Sequence, residues 1–163
     1  LLGESPNWGK FWESPHLSQE EKKILSLVRN NAQVMLEEYK LDGVQTSLIH
    51  ADAIRENVFI GKKGLTLIDF DDCGYGFPLY DLATATIQSL GEKNYQNRCD
   101  AILEGYGKER SLSQADINLF PTFAMLRVLA TSAWIIPRAP VGSSVIEVYK
   151  KRALKEAIKF LKK

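Results

Sequence analysis

The pattern of apolar and polar positions predicts a long helix near the start of the chain. Apolar side chains recur at helical spacing between residues 24 and 39, and they follow the sequence Ser18-Gln19-Glu20-Glu21. In such a capping box the serine accepts a hydrogen bond from an end amide while the second glutamate reaches back. We therefore predict a helix over residues 18–40, ended by Asp42-Gly43. The segment before it is expected to be irregular and held in place by its aromatic side chains, Trp8, Phe11 and Trp12.

The next part of the chain favours strands. Two short apolar runs, 58–60 and 65–68, are separated by Gly61-Lys62-Lys63-Gly64, which is typical of a β-hairpin. Residues 44–50 have a β-leaning composition and are expected to lead into a loop. Gly74-Tyr75-Gly76 is interpreted as a turn.

Everything after Pro78 has a helical pattern. Four helices are predicted, near 79–90, 93–106, 113–136 and 143–162, with N-caps at Ser113 and at Ser143 or Ser144. The stretch 117–136 is apolar on nearly all sides, which favours a central buried helix over a membrane span. Arg127 lies in its middle, and a mid-span arginine costs about 2.5–3.5 kcal/mol on insertion scales. The predicted fold class is α+β, mainly helical.

Composition and charge narrow the function classes. The chain has 163 residues, 45% of them apolar and 25% charged, as in an ordinary soluble protein of one domain, so we predict a single domain over 1–163. A net charge of +1 gives no field that would attract nucleic acid or an anionic membrane. Cys73 and Cys99 show no metal-ligand spacing and are interpreted as reduced thiols of a cytoplasmic protein. The start at Leu1, without Met or a signal peptide, suggests a fragment.

Two short motifs carry the candidate chemistry. His50-Ala51-Asp52 is followed by Asn57, and Asp69-Phe70-Asp71 ends the second strand of the predicted hairpin. Phosphoryl transfer needs a carboxylate that accepts the proton of the attacking hydroxyl and hard oxygen ligands for magnesium. Asp52 is the candidate base, and Asn57 and Asp69 are the candidate metal ligands, brought together by the hairpin. From 42 to 81 there are seven acidic and three basic residues, which suits a divalent cation.

Structural roles compete with these assignments. Asp and Asn next to a hairpin often do no more than cap turns. His50 is interpreted as a structural histidine that supports the loop rather than as a general base. We also assign Asp71 to the metal. Both Asp71 and Asp72 are, however, equally compatible with a role in capping or with an exposed position.

The motifs together resemble the aminoglycoside phosphotransferase, choline kinase and homoserine kinase-like superfamily. The likeness is closest over residues 48–83, where the two motifs are followed by Tyr80-Asp81-Leu82-Ala83. It implies the C-terminal, catalytic lobe of the protein-kinase-like fold with a short β-hairpin at the active site. It also implies a kinase that moves the γ-phosphoryl group of ATP, with Mg²⁺, to a hydroxyl of a small metabolite. In this family the aspartate matching Asp52 is the base and that matching Asp81 is structural.

Two departures from the family pattern bear on activity. Many members have Leu-His-Pro-Gly where this chain has Ala-Ile-Arg-Glu at 53–56, so Ile54 replaces a histidine. Arg55 is the candidate replacement for a contact to the phosphates of ATP. The family also places a nucleotide-covering lobe ahead of this region, and nothing before Trp8 matches it. We therefore expect weak or no activity from this chain alone, and self-association through the surface that such a lobe would cover.

Several alternatives stay open at this point. A haloacid-dehalogenase-type phosphatase would use Asp69 as nucleophile and Asp71 as general acid, but alternating strands and helices should then follow. A non-catalytic scaffold or binding module derived from a kinase is the other interpretation. Arg127 either pairs with a loop aspartate, Asp81 being the candidate, or lines the acceptor pocket with Trp134. Homoserine, an amino sugar, a choline-like amino alcohol and other sugars all stay open as the acceptor.

Overall fold

The computed structural model describes residues 1–41, 43–44, 46–62 and 64–162. This part of the chain contains five α-helices and four short strands. The helices are α1 Gln19–Leu41, α2 Pro78–Thr86, α3 Tyr95–Gly107, α4 Gln114–Ile135 and α5 Ser144–Leu161. The strands are β1 Ser47–Ile49, β2 Val58–Gly61, β3 Gly64–Leu67 and β4 Gly74–Gly76. Single 3-10 turns occupy Arg55–Asn57, Ile87–Ser89 and Ile136–Arg138. The architecture is mainly helical α+β, as predicted.

The chain divides into two compact units. The first comprises Leu1–Gly43 with Met125–Lys163, and the second comprises Val44–Ala124. The division falls within α4. The candidate base and the candidate metal and phosphate ligands lie in the second unit, whereas Arg127 and Trp134 lie in the first.

The core of the first unit joins the irregular opening segment to the helices α1 and α5. Phe11 and Trp12 are buried against apolar residues of α1, of the second half of α4 and of α5, which confirms that aromatic side chains hold this segment. The capping box of α1 is formed as predicted. The Ser18 N–H donates to Glu21 Oε2 at 2.7 Å, and the Glu21 N–H donates to Ser18 Oγ at 3.2 Å. The predicted helix end at Asp42 lies outside the described residues.

The second unit contains two antiparallel strand pairs. β2 and β3 form the predicted hairpin, with Val58 opposite Leu67 and Gly61 opposite Gly64; Lys63 of its turn lies outside the described residues. The interpretation of Gly74-Tyr75-Gly76 as a turn is wrong. These residues form β4, which pairs with β1. The reason is steric, because a Cβ built on Gly76 would lie 2.5 Å from Cδ1 of Ile49, so the absence of a side chain lets β1 approach.

The helices after Pro78 agree with the periodicity of the sequence. Pro78 is the first residue of α2, where its missing N–H costs nothing. Ser143 caps α5 by accepting the Val145 N–H at 3.2 Å. Ser113 precedes α4, and its Oγ accepts the Asp116 N–H at 3.1 Å. Both N-cap predictions are therefore confirmed.

One apolar helical stretch in the described part of the chain, Gln114–Arg138, is long enough and apolar enough to cross a membrane by length and composition alone. However, 78% of its apolar window is buried inside the protein. A buried core helix meets the same criteria, and this burial agrees with the prediction of a central helix.

Candidate active site

Asp81 holds the start of the loop between β1 and the hairpin. Its two carboxylate oxygens accept the backbone N–H groups of His50 and Ala51, each at 2.7 Å. Ala51 has a left-handed backbone with φ 64°, which costs a non-glycine residue roughly 1–2 kcal/mol. Two hydrogen bonds to a charged carboxylate offset that cost. Asp81 lies in the first turn of α2 but is not its N-cap, because Phe77 occupies that position.

His50 is a structural residue of this loop. Its side chain is only 4% exposed, and both ring nitrogens contact backbone groups. Nδ1 lies 3.3 Å from the Asp52 N–H nitrogen, and Nε2 lies 2.7 Å from the Ile68 carbonyl oxygen. Since an N–H donates to Nδ1, the proton belongs on Nε2, which then donates to Ile68. The ring also packs against Phe70, with centroids 4.4 Å apart, so the interpretation of His50 as a support for the loop agrees with its contacts.

Asn57 closes the loop onto Asp52. The Asn57 side chain is 7% exposed, and its Nδ2 donates to the Asp52 carbonyl at 2.9 Å and to Asp52 Oδ2 at 3.0 Å. Both partners can only accept, which fixes the orientation of the amide and turns Oδ1 away from Asp52. Oδ1 accepts no hydrogen bond from the described residues, so it is available to a cation. The hydrogen bond to Oδ2 fixes one oxygen of the candidate base.

The hairpin brings Asn57 next to the residue that precedes Asp69. The Ile68 N–H donates to the Asn57 carbonyl at 3.1 Å, directly beyond the Val58–Leu67 pair. Asp69 follows with a left-handed backbone, φ 63°, and an exposed side chain that bonds to none of the described residues. An amide oxygen and a carboxylate are the kind of hard ligand that magnesium takes. The side-chain oxygens of Asn57 and Asp69 are therefore ligands of the type that the predicted magnesium ion needs, and the hairpin brings the two residues to the same strand end.

The other predicted site residues are not brought into a cluster. Arg55 is exposed, and within the described ranges its guanidinium forms neither a hydrogen bond nor an ion pair. Asp71 is exposed as well, with no hydrogen bond or ion pair to any residue that the structure describes. Among those residues no three His, Cys, Asp or Glu side chains lie together as a metal site. The metal role of Asp71 and the phosphate role of Arg55 stay predictions.

One contact of this loop was missed in the sequence. The amide of Gln88, in the 3-10 turn Ile87–Ser89, accepts the Arg55 N–H at 3.2 Å and donates to the Glu56 carboxylate. The Glu56 backbone N–H and then the Gln88 amide lower the pKa of Glu56 below its ordinary value of 4.5. Gln88 lies about two helical turns beyond Asp81 on a continuous helical path. That spacing was the signal in the sequence that Gln88 and Asp81 could face the same loop.

Arg127 and Trp134 lie in the first unit. The Arg127 guanidinium lies over the ring of Trp8, 4.3 Å from its centroid, a cation–π contact that the sequence did not reveal. Trp8 also packs on Trp134, with centroids 6.4 Å apart. A cavity of about 470 Å³ in this unit is lined by Trp8 but by neither Arg127 nor Trp134. The predicted roles of Arg127 and Trp134 therefore stay predictions.

Comparison with known proteins identifies the family. Residues 8–116 match the family model APH, described as the phosphotransferase enzyme family, and the chain belongs to that family. It is also similar to an uncharacterized protein of Deinococcus radiodurans, with 33% identity over 92 residues, which cover 53% of this chain and 27% of that protein. The superfamily resemblance is thereby confirmed.

A solved structure supports the fold. The chain is similar to the microcompartment-associated aminopropanol kinase, with a TM-score of 0.75 and 27% identity over 94% of this chain. This match confirms the predicted fold class, a helical lobe of the kinase-like fold with small sheets. The chain spans 47% of that kinase and 27% of the Deinococcus protein, so it corresponds to less than half of each.

Proposed function

We propose that this chain is the catalytic, C-terminal part of a small-molecule kinase that transfers the γ-phosphoryl group of ATP to a hydroxyl. The observation that carries the proposal is the pairing of Asp52 with Asn57. One oxygen of the Asp52 carboxylate accepts the Asn57 amide at 3.0 Å, while Asn57 Oδ1 points elsewhere. Phosphoryl transfer needs a positioned base next to a ligand for the metal, and a base held by a side chain that also has a free amide oxygen suits that requirement.

In this proposal each loop residue has one task. Asp52 orients the acceptor hydroxyl and takes its proton as the hydroxyl oxygen bonds to the γ-phosphorus and the bond to the ADP oxygen breaks. Asn57 and Asp69, with Asp71 as a further candidate, would hold magnesium, which would neutralise charge on the phosphates. Arg55, exposed on the same loop, would contact a phosphate. His50 and Asp81 touch none of the reacting atoms in this scheme and keep the loop in place.

We further propose that the remaining part of a longer protein supplies the nucleotide-covering lobe. The support is that the chain spans 47% of the similar kinase. Large apolar side chains are exposed on the second unit, among them Phe59, Ile60, Leu65 and Tyr75. Exposed apolar side chains of this size are often covered by another part of a protein. Expressed alone, the chain should bind ATP weakly, turn over slowly or not at all, and self-associate through this surface.

The acceptor is proposed to be a small amino alcohol. The similar solved structure is that of an aminopropanol kinase, and the acidic excess around the loop suits an amino-bearing acceptor. Homoserine and amino sugars are the other acceptors to include. We also propose that the protein acts in the cytoplasm, with no nucleic acid or membrane as partner.

The test is phosphate transfer from labelled ATP across a panel of amino alcohols, homoserine and amino sugars. It should use the full reading frame that contains this chain, with Asp52→Asn as the variant. We expect transfer to one acceptor, reduced at least a hundredfold in Asp52→Asn. Magnesium binding that is lost in Asp69→Asn would support the ligand assignment. A folded protein that neither transfers phosphate nor binds magnesium-nucleotide would overturn the proposal and favour a non-catalytic scaffold.

A further inference from the structure

We propose that Gln88 is a positioning residue for the candidate catalytic loop, acting at its far end as Asp81 acts at its start. The consequence for phosphoryl transfer rests on the function proposed above, but the contact itself does not. The Gln88 side chain bonds to two successive residues, the Arg55 N–H through Oε1 and the Glu56 carboxylate through Nε2.

The two holding residues belong to one helical path. α2 ends at Thr86 and continues directly into the 3-10 turn Ile87–Ser89, with Ile87 still in a helical conformation. Asp81 and Gln88 are about two turns apart, so they lie on similar sides of this path. Asp81 bonds to the loop where it leaves β1, and Gln88 bonds to it where it enters the hairpin. One rigid element thereby fixes both ends of the loop.

The carboxamide at position 88 makes both contacts with one planar group. A carboxamide offers one acceptor and two donor hydrogens, whereas a carboxylate has acceptors only and an aliphatic chain has neither. Arg55 presents a donor and Glu56 presents an acceptor, so the requirement is for a donor and an acceptor on the same planar group. A glutamate at this position could still accept from the Arg55 N–H, but its charge would face the Glu56 carboxylate, and the repulsion would weaken both contacts.

The contact acts on the catalytic groups through the turn Arg55–Asn57. Asn57 is the last residue of that turn, its N–H donates to Ile54, and its amide holds Asp52. A shift of Arg55 and Glu56 therefore moves the Asn57 oxygen that is proposed for the cation and the carboxylate proposed as base. Because the Asn57–Asp52 bonds persist without Gln88, loss of the contact should loosen the loop rather than unfold it.

The direct test is hydrogen exchange of the Arg55 backbone amide in this chain. We expect Gln88→Glu to speed that exchange about three- to tenfold through repulsion from Glu56. The double variant Gln88→Glu with Glu56→Gln swaps the acid and the amide. It should restore slow exchange, because the new amide then donates to the new carboxylate, which still accepts the Arg55 N–H. Gln96→Glu is the matched control, since Gln96 makes a comparable exposed bond to Asp100 on α3, 2.8 Å long.

The same variants in the full reading frame test the consequence for the reaction. Gln88→Glu should lower kcat roughly tenfold with a smaller change in KM for the acceptor, and the swapped pair should recover most of it. Unchanged Arg55 exchange in Gln88→Glu, or no recovery in the swapped pair, would overturn the inference. If exchange responds as expected while the wild-type protein transfers no phosphate, the positioning contact stands and the proposed function fails.

Discussion

Nε2 of His50 lies 2.7 Å from the carbonyl oxygen of Ile68. Ile68 is the residue between β3 and Asp69, and its N–H donates to Asn57. The imidazole therefore joins the start of the loop, which carries Asp52, to the strand end that carries Asp69. The candidate base and one candidate metal ligand are positioned by the same buried side chain.

Replacing His50 should weaken the fold of the second unit. His50→Ala removes the imidazole ring, so the Ile68 carbonyl and the Asp52 N–H each lose the hydrogen bond that they form with it. Losses of this kind cost about 1–3 kcal/mol each for buried groups and less for partly exposed ones such as these, so we expect the free energy of unfolding to fall by about 1–3 kcal/mol. Urea unfolding measures it. His16→Ala, at an exposed position, should change stability by less than about 0.5 kcal/mol, and equal effects of the two variants would contradict the role assigned to His50.

The two glycines of β4 should respond differently to substitution by alanine. Gly76→Ala places a Cβ 2.5 Å from Cδ1 of Ile49, which must rotate away, whereas a Cβ on Gly74 meets nothing within 4 Å. We expect Gly76→Ala to lower stability by about 1–2 kcal/mol and Gly74→Ala to be neutral or to stabilise by about 0.5 kcal/mol. Thermal unfolding of both variants checks this.

A double variant isolates the contact in β4. Ile49→Val removes the Cδ1 atom that the new Cβ would meet first. In that background Gly76→Ala should cost less than half of what it costs alone. An unchanged cost would show that the glycine is needed for a reason other than the approach of Ile49.

Backbone strain at Ala51 predicts a stabilising substitution. Ala51 has φ 64°, a region that costs alanine roughly 1–2 kcal/mol and glycine almost nothing. Glycine also adds about 0.5–1 kcal/mol of chain entropy in the unfolded state, so Ala51→Gly should stabilise by about 0.5–1 kcal/mol. Ala53→Gly, whose backbone is not left-handed, should destabilise by about 0.5 kcal/mol. Denaturant unfolding of the two variants should therefore show opposite signs, and the same sign would contradict the argument.

Features with local signals could be predicted from the sequence. The capping box at Ser18 and Glu21 depends on residues three positions apart, and the hairpin depends on two adjacent apolar runs and a glycine-bounded turn. β4 could not be predicted, because three residues with two glycines carry no strand pattern and pair only with the distant β1.

The site shows the same division between local and distant contacts. The His50–Asp52–Asn57 spacing is visible in the sequence, and the hairpin accounts for the approach of Asn57 to the Asp69 strand end. Gln88 contacts a loop residue that lies 33 positions away, and no short motif records such a side-chain contact. The exposed Asp71 shows the converse, since a residue can belong to a motif and still make no contact that assigns its role.

Lys150 of α5 lies between two glutamates. Its Nζ is 2.9 Å from Glu147 Oε1 and 3.8 Å from Glu21 Oε1, while Glu21 Oε2 caps α1. Glu21 therefore serves both the start of α1 and the packing of α1 on α5. Glu21→Ala loses the cap and the ion pair, and should cost about 1 kcal/mol, whereas Glu21→Gln keeps an oxygen for the Ser18 N–H and should cost less than half of that.

The pH dependence of the Lys150 contribution follows from two shifted groups. The hydrogen bond to Glu147 and then the charge of Glu21 raise the pKa of Lys150 above 10.5. The contribution of Lys150 to the stability of the fold is therefore complete below pH 10.5 and is lost as pH rises through the raised pKa. The hydrogen bond from Lys150 lowers the pKa of Glu147 below 4.5. The contribution of Glu147 to the stability of the fold is therefore present above pH 4.5 and is lost as pH falls through the lowered pKa. The difference in melting temperature between the wild type and Lys150→Met should therefore be constant from about pH 5.5 to 9.5 and shrink on both sides. A difference that instead rises or falls steadily across the neutral range would show that other titrating groups control the contact between α1 and α5.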